Sequence, residues 1–67
     1  MTVKLNISEI KRLSAVRKVS NTELSERSGI SRQSISTILR RGTCTAVNAG
    51  RLADALKVDA GTIMKEG

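Results

Sequence analysis

The side chains best suited to chemistry in this 67-residue chain are Arg32, Gln33, Ser36, Thr37, Arg40 and Arg41, all within the stretch SNTELSERSGISRQSISTILRRG at residues 20–42. At helical spacing Ile35, Ile38 and Leu39 fall on one face, and Arg32, Gln33, Ser36, Thr37 and Arg40 share the opposite one. That outward face carries guanidinium and amide donors, hydroxyls and positive charge, a set made for hydrogen bonding and for attracting an anion. Bond-making chemistry fits poorly. There is no His, the single Cys44 lacks an activating base, and no two carboxylates are spaced to face a common cleft. One cysteine allows no internal disulfide, and without His or a second Cys no zinc ligand set can be assembled. No metal, cofactor or enzymatic activity is expected, and Cys44 reads as a small buried or semi-buried filler.

Twelve Lys and Arg against six Asp and Glu give a formal charge of +6, which predicts attraction to a polyanion, with nucleic acid the leading candidate. An anionic membrane is the alternative. No segment approaches the roughly 20 apolar residues a span needs, and no signal peptide or lipidation motif opens the chain, so a cytoplasmic protein is expected. Chains this short bury only about 60% of their unfolded surface, which leaves room for one domain over 1–67. With no Phe, Tyr or Trp, the core must be built from Ile, Leu, Val, Ala and Met. Such a core suits an all-α fold, a compact bundle of four to five short helices.

The elements that position the polar run announce themselves by one recurring signature, in which an apolar residue, a capping residue and an apolar partner follow at fixed offsets. It occurs at Leu5, Asn6 and Ile10; at Val19, Ser20 and Leu24; at Ile30, Ser31 and Ile35; and at Val58, Asp59 and Ile63. A weaker instance is Cys44, Thr45 and Ala49. Ser20 with Glu23 forms a capping box, as does Asn6 with Glu9. Gly29 then closes a helix of about two turns, where positive φ is wanted. Ser31 caps the next helix after a connection of three or four residues, which is the geometry of a helix-turn-helix. At the start, Val3, Leu5 and Ile7 alternate with Lys4 and Asn6, which permits a short strand, whereas the Asn6 cap signals a helix from about residue 7 to 17. A fourth helix runs through VNAGRLADAL with Ala49, Leu52, Ala53 and Leu56 on one face. Gly50 inside it costs about 1 kcal/mol relative to Ala, which suggests close approach by another helix, or simple tolerance. The expected core is Ile10, Leu13, Val19, Leu24, Ile30, Ile35, Ile38, Leu52, Leu56, Val58 and Ile63. Lys11, Arg12, Lys57 and Lys65 read as solvated charges.

Residues 20–42 resemble the helix-turn-helix of the lambda-type Cro and repressor family, also called the Xre family. The LKVDAGTI stretch resembles the closing segment of that family's five-helix domain, so the likeness extends over most of the chain from about residue 10. Three positions depart from the family pattern: Asn21 stands where Gln is usual, Leu39 replaces a common acidic residue, and Gly42 arrives one residue late. The resemblance implies that Asn21 touches DNA phosphate and that Arg32, Gln33, Ser36 and Thr37 read base edges. The residue types suit this, since Arg32 can fork onto guanine O6 and N7 and Gln33 can pair with adenine N6 and N7 in the major groove. Ser31, at the N-terminus of the recognition helix, and the cationic pair Arg40 and Arg41 suit DNA phosphate, and Thr22 and Thr43 are expected to join them on the DNA backbone.

The function these features imply is a sequence-specific, Cro-like transcriptional regulator in a bacterial or phage-infected cell, a repressor of phage or prophage type. The alternative on the same fold is a protein-interaction module, an antitoxin or a modulator of a repressor. A two-fold dimer on a palindromic operator in double-stranded DNA is expected, because one such helix reads only a few base pairs. The spare apolar groups Val3, Leu5, Thr62, Ile63 and Met64 either supply a weak dimer contact or close the monomer core.

Overall fold

Backbone groups left open at each helix start need a partner, and four polar side chains supply it. The computed structural model describes residues 2–65; Met1, at the head of the alternating stretch, and Glu66 and Gly67 lie outside the described residues. Strand β1 (Thr2–Lys4) leads into α1 (Ile7–Val16), α2 (Asn21–Ser28), α3 (Arg32–Arg41), strand β2 (Thr43–Thr45), α4 (Ala46–Leu56) and α5 (Ala60–Ile63). Asn6, Ser20, Ser31 and Thr45 each accept the backbone N–H three residues on, from Glu9, Glu23, Ser34 and Asn48, all at 3.2 Å. Asp59 stands at the start of α5 but makes no side-chain cap bond.

The capping boxes form only by half. The carboxylates of Glu9 and Glu23 turn outward to the guanidinium groups of Arg12 and Arg27 instead of reaching back to the cap amide. The hydrogen bond from Arg12 holds the Glu9 carboxyl below its ordinary range. Both pairs lie one helical turn apart on exposed faces, where they favour the helix only slightly.

The helices gather around an aliphatic core in which Ile10, Leu24, Ile35, Leu52, Leu56 and Ile63 are fully buried. The expected core residues are all found there except Val58, which is half-buried against it. Leu5, Cys44, Ala49, Ala53 and Ala55 join them. Leu5 and Ile63 are buried and so help close the monomer core, Val3 and Met64 pack half-buried against it, and Thr62 is exposed. Gly50 has no neighbour within 4 Å of where a Cβ would stand, so no helix approaches it and the glycine is simply tolerated.

A small antiparallel ribbon accompanies the five helices. Thr2 pairs with Thr45, Val3 with Cys44 and Lys4 with Thr43. The alternating stretch and the Asn6 helix start are thus both real, because the strand ends at Lys4 before the cap begins. Leu5 N–H donates to the Gly42 carbonyl at 2.8 Å, Asn6 N–H to Ile63 at 2.8 Å, and Lys65 N–H to Lys4 at 2.9 Å. The segment Lys4–Asn6 is therefore stitched on one side to the exit of α3 and on the other to the end of α5. This seam fixes where α3 ends, and Gly42, with φ of 75°, makes the turn that a side chain would strain.

Candidate nucleic-acid interface

Helix α3 owes its position to the turn before it. Gly29 closes α2 at φ 75°, a region other residues enter at a cost. Two serines then satisfy the backbone of Ile30: Ser25 donates to its carbonyl at 2.6 Å, and Ser28 accepts its N–H at 3.2 Å. Ser28 is buried, and its hydroxyl also donates to the Leu24 carbonyl. Neither serine was singled out by the sequence pattern. With the turn held so, Ile30 and Ile35 anchor the near face of α3 in the core.

The outward surface of α3 resolves into two ridges at i, i+4 and i+8. Arg32, Ser36 and Arg40 form one, all exposed; Gln33, Thr37 and Arg41 form the other, with Thr37 half-buried. The second ridge borders a cleft of about 410 Å³ between α3, β2 and the start of α4, lined also by Ser34, Thr43, Thr45 and Asn48. No described acidic side chain lines it. The sequence pattern marks Thr45 only as a cap, and marks neither Ser34, one position from Gln33 in the first turn, nor Asn48.

Within the cleft Thr37 has its hydroxyl committed, donating to the Gln33 carbonyl at 3.0 Å. A ligand there meets the methyl group and the remaining lone pairs of the oxygen. Ser31 is similarly engaged, accepting from Ser34 N–H and donating to the Ser34 hydroxyl at 2.9 Å. The amides of Arg32 and Gln33, in the first turn of α3, are beyond reach of that cap. They face the end of the helix where its dipole favours an anion. Asn21 and Thr22 are exposed at the first two positions of α2 and line neither this cleft nor the next.

Arg41 and Thr43 also border a second cleft, about 470 Å³, where they meet Arg40, Lys4 and Lys65. The structure thus brings Gln33, Thr37, Arg41 and Thr43 together, sets Arg40 on the seam side, and leaves Arg32 and Ser36 on the open ridge. Cys44 forms part of the floor of the first cleft, its thiol donating to the Thr45 carbonyl at 3.2 Å. Burial pushes this thiol up from its ordinary value, which keeps it protonated and unreactive at neutral pH. Among the described residues no group of three or more His, Cys, Asp or Glu could hold a metal, and no helix is long and apolar enough to cross a membrane.

A family model described as the Cro/C1-type HTH DNA-binding domain fits residues 9–65. No curated protein and no solved structure matches the chain.

Proposed function

Because the chain belongs to the Cro/C1-type HTH DNA-binding domain family, we propose that it is a sequence-specific transcriptional regulator, Cro-like and acting as a single domain over 1–67, that reads the major groove with α3. The observation that carries this reading is the pair of polar ridges on α3, four cationic or amide side chains and two hydroxyls without an acid among them. Arg32 and Gln33 sit in the first turn, where a helix entering the groove presents its side chains to base edges. Arg32 forks onto guanine and Gln33 pairs with adenine. Ser36 follows on the open ridge as a short donor or acceptor, and Thr37 turns its methyl to a thymine methyl.

Phosphate contacts surround the readers. Asn21 and Thr22 reach the backbone from the start of α2, Arg40, Arg41 and Thr43 from the end of α3 and from β2, and the first turn of α3 contributes amides beside the Ser31 cap. These contacts set register without reading sequence. The protein acts as a repressor, covering a promoter and blocking polymerase in a bacterial or phage-infected cytoplasm.

The working unit is a two-fold dimer on a palindromic operator, with two copies of α3 in successive major grooves about 34 Å apart. With Leu5 and Ile63 spent on the core, the large exposed hydrophobic residues among those described are Val16 and Val47. So little apolar surface barely offsets the freedom lost on association, so the free protein is mostly monomeric and pairs on DNA.

The test is the mobility of labelled intergenic fragments with and without excess random DNA. A fragment that stays bound under competition supports the reading. Displacement of every fragment by random DNA would transfer the fold's role to protein interaction.

A further inference from the structure

We propose that the cleft at the seam of the two chain ends is a second phosphate-binding site, which takes the DNA backbone lying beyond the base pairs that α3 reads. Four cations border it: Lys4 from β1, Arg40 and Arg41 from the end of α3, and Lys65 from the segment after α5. Charges this far apart in sequence meet there because the backbone bonds bring them in. Lys65 N–H donates to the Lys4 carbonyl at 2.9 Å, which sets the two lysines side by side, and Leu5 N–H donates to the Gly42 carbonyl at 2.8 Å, which lays that pair against the end of α3.

No described residue is paired with them. The two ion pairs among the described residues are Glu9 with Arg12 and Glu23 with Arg27, and no described acidic residue lines the cleft. Four like charges around one concavity repel one another, and an anion placed among them turns that repulsion into attraction. Lys65 is therefore more than a solvated charge.

The ligand is a nucleic-acid phosphate because the two clefts share two bordering residues. Arg41 and Thr43 border both, so a strand with evenly spaced charges that crosses the reading cleft passes into the seam. A lipid surface would need exposed apolar groups beside the cations, whereas of the apolar residues lining the seam Leu5 is buried and Ile7 and Leu39 are half-buried, and the exposed Val16 and Val47 line neither cleft. The proposal rests on α3 being the reading helix, and it extends the footprint outward from it.

The experiment compares wild type with the double variant Lys4→Ala/Lys65→Ala on two duplexes that carry the selected site, one ending at its edges and one extended by a helical turn on each side. The seam bonds are between backbone atoms, so the variant keeps its fold, and a matching thermal melt verifies this. On the extended duplex the wild-type log–log salt slope should be steeper than the variant's by about 1.8 per protomer, two phosphates at about 0.9 each. Wild type then loses about tenfold more affinity per protomer than the variant between 50 and 200 mM salt. On the short duplex the two proteins should agree, with the same base preference throughout. Equal slopes on the extended duplex would overturn the proposal, as would wild type gaining affinity from vesicles of anionic lipid but not from flanking DNA. Loss of base preference by wild type on both duplexes strikes instead at the reading by α3, and the slope difference still decides the seam.

Discussion

Ser28 accepts the backbone N–H of Ile30 at 3.2 Å from within the core, so the turn that aims α3 is braced by a buried side chain instead of by water. Ser28→Ala leaves that amide buried without a partner, and chemical denaturation should show a loss of about 1–3 kcal/mol. Ser25→Ala, at a half-buried site, should cost about 1 kcal/mol. A loss below the error of the Ser25 variant at Ser28 would mean that the turn is held by packing alone.

Arg32→Ala and Gln33→Ala should each cost about 1–3 kcal/mol on the preferred site and relax preference at one base pair. Both side chains are exposed, so the thermal melt should hardly move. Arg40→Ala and Arg41→Ala should weaken all sequences alike and lower the salt slope by about 0.9 each. Titrations on the preferred site and on single-base variants separate the two classes, and equal losses from Arg32→Ala on preferred and random DNA would rule out direct readout.

The helix starts and the core were legible in the sequence because both are local or periodic. Asn6, Ser20, Ser31 and Thr45 cap the helices as their spacing predicts, and the aliphatic positions point inward. What stayed hidden depends on contacts between distant segments. The ribbon pairing Thr2–Lys4 with Thr43–Thr45 and the bond from Leu5 to Gly42 have no local pattern, and neither does the meeting of Lys4 with Lys65. The same limit explains the apolar start of the chain: Leu5 looks like a spare hydrophobic group until the seam buries it. Of the site, the ridges of α3 were legible, whereas Ser34, Thr45 and Asn48 enter only through the fold of β2 onto α4.

Thr37 offers a sharper test of the readout than any truncation. Since its hydroxyl already donates to the Gln33 carbonyl, Thr37→Val, which keeps the methyl group, should bind the preferred site within about threefold of wild type, less than the contribution of one ordinary hydrogen bond. Thr37→Ser, which keeps the hydroxyl, should lose preference for thymine. The reverse order, measured on paired thymine and uracil duplexes, would assign the base contact to the oxygen.

Two backbone sites carry removable cost. Gly50 has open space where a Cβ would stand, and Gly50→Ala should stabilise the fold by about 1 kcal/mol through helix propensity. Lys57 closes α4 at φ 57°, and Lys57→Gly should gain a similar amount by relieving the left-handed strain. Gly29→Ala, at φ 75°, should do the opposite. Thermal melts rank the three, and destabilisation by Gly50→Ala would mean that the backbone of α4 needs the glycine.

Selection of bound sequences from a random duplex pool, followed by titration of the winner against unselected DNA, tests the central claim most directly. The account predicts a palindrome whose half-sites are centred about 34 Å apart, bound at least about 10³-fold more tightly than random DNA at physiological salt. The Arg32→Ala and Gln33→Ala variants should select sequences altered at one position per half-site. A pool that emerges unenriched, or a winner bound no better than random duplex, would contradict the assignment of this fold to sequence-specific regulation.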